Sequence, residues 1–227
     1  MTYDKYYQEF SNEVHSALAS YLFWKMLQNK SADEPDLLDA LNRTPLSWIF
    51  IRHSLQVSLF MTLGRIFDTD DDSFSIDDLL KCCIEDTSIF DKNSLRTRKQ
   101  EAQRGTTSDW LDEYIANASE PVAQDFKKLR GEVTKHRRIY VRKYQPIRHK
   151  IFAHRDKEFL GKNDDLWKET NIGEIEDIIW FLNDLKNALF QTYENGRALK
   201  IVQGEPDVNF YEDDFSHLLH QILEKQN

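Results

Sequence analysis

Arg148 and His154 bracket the stretch RHKIFAHRD, in which Lys150, Arg155 and a second histidine, His149, crowd around Ile151, Phe152 and Ala153. Their types fit one reaction. Cleaving RNA without a metal needs a base to take the 2′-hydroxyl proton, an acid to protonate the leaving 5′-oxygen, and a fixed cation for the charge growing on phosphorus. Histidine moves protons near neutral pH, and arginine supplies permanent charge with bidentate phosphate contact. Arg148 and His154 offer both parts, with Asp156 available to orient His154. On one straight α-helix their six-residue separation sets them about 120° apart. Convergence therefore requires a helix end, a kink, or a second copy of the chain. The plainer alternative is a His154 cation that closes a helix C-terminus, with Asp156 paired to a neighbour.

The charge around this stretch runs against the rest of the chain. Residues 127–157 hold twelve Lys or Arg against Glu132 and Asp156, whereas the whole protein has a formal net charge of −9. A local positive field on an acidic body suits phosphate binding and limits unspecific adhesion to nucleic acid. The candidate RNA contacts are Arg138, Arg142, Lys143, Lys150 and Arg155. Tyr140, Tyr144 and Phe152 lie among them, where their rings could stack on single-stranded bases. A basic helix can equally face acidic neighbours in its own fold, or an acidic partner.

The elements that must position these residues are helices. Only seven glycines and five prolines leave little material for the tight turns of an all-β fold. Apolar periodicity predicts a helix over about 3–28, broken by NKSADEPD. Thr44 as N-cap with Pro45 behind it starts a second, apolar enough to be central, that runs to about Asp68. Ser75 caps IDDLLKCCIE, and Ser88 and Ser108 are candidate caps for segments near 89–103 and 109–118. A long helix begins after Pro121, and Pro146 should end or kink it. A loop near 161–165 precedes GEIEDIIWFLNDLKNALFQTY, which stops near Asn195-Gly196, and a last helix spans about 213–224. The expected architecture is an all-α bundle with its core from helices centred near residues 18, 57, 133 and 183. It reads as one domain over 1–227, with an accessory helical insertion around 70–120 and a C-terminal helix around 210–225.

Composition excludes several classes. The longest uncharged run, roughly His53 to Gly64, falls well short of the ~18 apolar residues that cross a bilayer. The start, MTYDKYYQEF, has neither the basic nor the apolar region of a secretory signal. The expectation is a cytoplasmic protein with no membrane association. Cys82 and Cys83 are adjacent, which suits a reducing compartment and offers no metal-ligand spacing. Asp214, His217 and His220 share a helical face, but no second helix carries a matching set, so neither metal nor cofactor is expected. Arg65 and Asp68 read equally as a surface pair or as lining of a cleft.

RHKIFAHRD resembles the signature of the HEPN superfamily (higher eukaryotes and prokaryotes nucleotide-binding domain), in which a histidine follows an arginine after four to six residues. Arg130 to His136 and Arg142 to His149 meet that spacing too, but only the third match carries the right surroundings. His149 fills the polar position after the arginine, and the Ala-His-Arg-Asp ending resembles the abortive-infection AbiU-type branch. LGRIFD, residues 63–68, is similar to a helix segment of that branch. The resemblance covers about residues 45–190. It implies an antiparallel HEPN-like helical bundle with extra helices, a homodimer whose two motifs share a cleft, and a metal-independent endoribonuclease of toxin or phage-defence type acting on RNA. Arg148 and His154 would be its catalytic pair, assisted by His149, and a toxin of this kind would be restrained by an antitoxin protein. The alternative is a non-catalytic HEPN module that binds nucleotide, RNA or an acidic protein partner.

Overall fold

The computed structural model describes residues 2–70, 72–102, 110–153, 163–204 and 207–224, and every element among them is a helix. The first, α1 (Tyr3–Asp33), continues through the polar NKSAD stretch, five residues past its expected end. Leu27, in the turn before that stretch, is buried in one cluster with Leu37 and Leu41 of α2 (Pro35–Asn42). Pro35 sets the break: a proline disfavours the α region for the residue before it, and Glu34 is extended at φ −117°, ψ 95°. Leu37 and Leu41 form a small core with Phe215 and Leu219 of the last helix, α11 (Asn209–Glu224), which begins earlier than its apolar pattern suggests.

Thr44 and Pro45 start α3 (Pro45–Ile66) as expected, but the helix is central over only half its length. Leu59, Phe60, Leu63 and Ile66 are buried, whereas Leu46, Ile49 and Phe50 are 81%, 55% and 71% exposed. The backbone of Ser75 donates to Asp78 at 2.9 Å, opening α4 (Ile76–Glu85). Aspartates rather than Ser88 arrange the next two elements. Asp86 accepts from the Ser88 N–H in a 3₁₀ turn (Thr87–Phe90), and Asp91 accepts from Ser94 as α5 (Lys92–Ala102) begins. Ser108 lies outside the described residues. Leu95 of α5 and Leu111 and Ile115 of α6 (Trp110–Ala116) make a satellite core.

The main core joins α1, α3, α4, α7 (Ala123–Ile139) and α10 (Ile172–Asn195). Ile76, Leu79, Leu80 and Cys83 of α4 are each completely buried in it, so this helix of the 70–120 segment belongs to the central packing. Gly196, in the left-handed region at φ 59°, ends α10 at the expected place. Among the described residues no helix is long and apolar enough to cross a membrane.

Candidate functional site

Pro146 kinks the chain without ending it. Proline lacks an N–H, and its ring crowds the carbonyl four residues back, so a regular α-helix cannot run through. The backbone responds by widening. Residues Tyr140–Tyr144 form a π-helical turn in which the Gln145 N–H reaches the Tyr140 carbonyl, five residues back. A three-residue α-turn, α8 (Gln145–Ile147), holds the proline, and a second π-helical turn, Arg148–Ala153, carries the motif.

Glu174 ties this irregular segment to α10. Lys143 Nζ pairs with its Oε1 at 2.5 Å, and the Tyr144 hydroxyl donates to its Oε2 at 3.0 Å and to the Asn171 carbonyl at 2.8 Å. The hydrogen bond from Lys143 holds the Glu174 carboxyl below its ordinary value, partly opposed by desolvation. Burial pushes the Tyr144 phenol up to about 12, so the ring is a neutral structural post.

Arg148 crosses to α3. A Cβ built on Gly64 would lie 2.6 Å from Arg148 Cδ, 2.6 Å from its Nε and 2.7 Å from its Cζ, so the guanidinium end rests where a side chain would be. The stretches LGRIFD and RHKIFAHRD therefore meet in space. The Tyr140 hydroxyl, which donates to the Phe60 carbonyl at 3.2 Å, is a neighbour of the same guanidinium. Burial raises the Tyr140 phenol, and the Arg148 charge pulls it the other way. Arg148 is half-buried, its Nε has no hydrogen-bond partner, and among the described residues no carboxylate lies within ion-pair distance of it. Four residues on, Phe152 packs at 5.4 Å between ring centres on Phe60 and at 5.6 Å on His53.

The remaining candidates are distributed unevenly. His149, Arg138 and Arg142 are exposed, and Lys150 is half-buried. Tyr144 and Tyr140 are both 1% exposed, so their rings are not displayed on the basic surface. His154, Arg155 and Asp156 lie outside the described residues. Much of the basic segment is neutralised within the fold. Arg130 and Arg137 both pair with Asp77 of α4, at 3.2 and 2.6 Å, and Lys128 and Lys135 pair with Asp125 and Glu132 on their own helix. His136 stacks on Phe181 at 3.8 Å, a packing role. Arg65 makes a two-point contact with Glu13, at 2.9 and 2.8 Å, while Asp68 accepts from the backbones of Thr69 and Asp70. Spacing on one helix face suggests Arg65 and Asp68 as a pair, and the partner of Arg65 instead comes from α1.

Among the described residues the chain is an all-helical bundle that carries Arg148 and His149 on a π-helical turn packed against α3. The chain matches the family model for AbiU2 (HEPN_AbiU2) over residues 2–220, and it belongs to that family. Neither the curated proteins nor the solved structures contain a match to it.

Proposed function

We propose that this chain is a metal-independent endoribonuclease of the toxin or phage-defence type. In this reading Arg148 holds the scissile phosphate, His154 transfers protons with Asp156 orienting it, and His149 assists. The observation that carries it is the setting of Arg148. A guanidinium drawn partly out of water, with no carboxylate within ion-pair distance among the described residues, is stabilised by an anion that completes it. A phosphate group does so with two parallel hydrogen bonds. Arg138, Arg142, Lys150 and Arg155 then serve the RNA backbone beyond the cut, while Lys143, taken up by Glu174, contributes through the position it gives the turn.

A second copy of the chain completes the cleft in this proposal. Leu46, Ile49, Phe50 and His53 follow the i, i+3, i+4, i+7 spacing of one helix face, all four are exposed, and His53 touches Phe152 of the motif segment. An apolar row of this kind beside the motif suits a partner helix that brings a second motif close.

The experiment is a time course on mixed cellular RNA in EDTA with wild type, Arg148→Ala and His154→Ala, followed by analysis of product ends. Cleavage leaving 2′,3′-cyclic phosphate, lost in both variants with helix content retained, supports the proposal. Salt-sensitive RNA binding with no cleavage would assign the binding-only module instead.

A further inference from the structure

We infer that the cavity beside the motif is a binding pocket for one heterocyclic base. It has a volume of about 200 Å³ and is lined by Tyr21 and Trp24 of α1, Gln56 and Phe60 of α3, Tyr144, and Trp167 of α9 (Asn163–Lys168). Pockets for drug-sized ligands run to roughly 300–1,000 Å³. This one has room for a base alone, with the ribose and phosphate left outside.

The chemistry of the walls selects the ligand. Trp24 and Trp167, the half-buried rings of an aromatic lining, favour a flat partner, because every base offers a π-face for stacking. Flat hydrocarbon would leave polar groups stranded. The Trp24 Nε1–H is buried without a hydrogen-bond partner. A buried donor left unpaired carries the full desolvation penalty, so it calls for an acceptor from elsewhere. The Tyr21 hydroxyl has Glu176 as its hydrogen-bonding neighbour, a carboxylate that also pairs with Lys25 at 2.6 Å, and burial followed by that negative charge holds the phenol neutral. A neutral planar ring with acceptor atoms on its edge satisfies all of these conditions. Gln56 adds an amide of the kind that reads a base edge with two hydrogen bonds.

The pocket adjoins the phosphate position. Phe60, in its wall, and Gly64, under Arg148, are one turn apart on α3, about 6 Å along the axis. Phe60 and Trp167 are also the rings that hold Phe152, at 5.4 and 6.3 Å. A base seated here would therefore select the nucleotide context of cleavage. That link rests on the ribonuclease proposal, whereas base binding itself does not.

The test is calorimetric titration of wild type with adenosine, guanosine, cytidine and uridine, using ribose as control. The indole N–H resonances are followed in parallel and assigned through Trp24→Phe. At least one nucleoside should bind and shift the Trp24 resonance while ribose does neither. Trp24→Phe should weaken that binding about five-fold, the worth of one hydrogen bond. Gln56→Leu, at a half-buried position that is safer for folding, should change the preference among the four. A short single-stranded RNA that displaces the nucleoside assigns the pocket to RNA, and one that does not assigns it to free nucleosides. Arg148→Ala should leave nucleoside binding unchanged, so a protein that binds bases but cleaves nothing keeps this inference and loses the ribonuclease. No saturable binding of any nucleoside at millimolar concentration, or binding that matches ribose, overturns it.

Discussion

Replacing Gly64 with alanine adds one methyl group at the point where α3 meets the guanidinium end of Arg148. The new Cβ would sit 2.6 to 2.7 Å from three Arg148 atoms, well inside contact distance, so one side must yield. The backbone of a mid-helix residue is held by its hydrogen bonds, whereas the arginine is a flexible side chain rooted in a π-helical turn. Arg148 should move. In stability the two effects oppose each other: alanine is favoured over glycine in a helix by roughly 0.5–1 kcal/mol, and overpacking costs about 1–3 kcal/mol. The net loss is then about 0–2.5 kcal/mol, a Tm drop of no more than about 10 °C in a chain of this size. Activity should fall much further. Displacing a fixed group that stabilises transition-state charge costs about 10²–10³-fold in rate. Initial rates of metal-free RNA cleavage, measured beside thermal unfolding, separate the two. A folded Gly64→Ala protein cleaving within a few-fold of wild type, while Arg148→Ala is dead, would refute the argument that this contact places the arginine.

Gly196→Ala is the contrasting case. There the residue is at φ 59° and its Cβ would meet Leu95 at 2.5 Å and Ala118 at 2.8 Å, so strain and overpacking together should cost about 2–5 kcal/mol in denaturant melts, with intrinsic activity of the folded fraction unchanged. Glu174→Gln should flatten the acid limb of stability. The carboxyl is held below 4.5, so its contribution is complete above that pH and is lost as pH falls through the lower folded value, and melts between pH 3 and pH 6, roughly spanning that window, should show the wild type losing more stability than the variant. Phe50→Asp places a charge on the exposed face of α3 and should shift the species in sedimentation from dimer to monomer and reduce cleavage at low protein concentration, with the melting temperature of the monomer little changed.

Helix positions were largely legible because the signals that set them act over a few residues. Thr44-Pro45, Ser75 and Asn195-Gly196 mark their boundaries by local hydrogen bonding and backbone preference, and the structure keeps all three. The misses have local causes too. The polar NKSAD stretch holds no glycine or proline, so the helix runs on until Pro35 forces Glu34 out of the α region, and aspartates rather than Ser88 cap the turn before α5.

By itself the sequence determined the all-α class and the family, since residue type, apolar period and motif order survive without coordinates. It also placed a kink at Pro146, a consequence of one missing N–H. Which charges remain available was decided only in three dimensions. Asp77 engages both Arg130 and Arg137, and Glu174 takes Lys143, because α4 and α10 pack against the basic segment, and pairing depends on which helices meet. The same holds for Arg148. Its charge is written in the chain, but its place on Gly64, with Tyr140 beside it and no carboxylate in reach among the described residues, comes from a long-range contact that no local preference encodes.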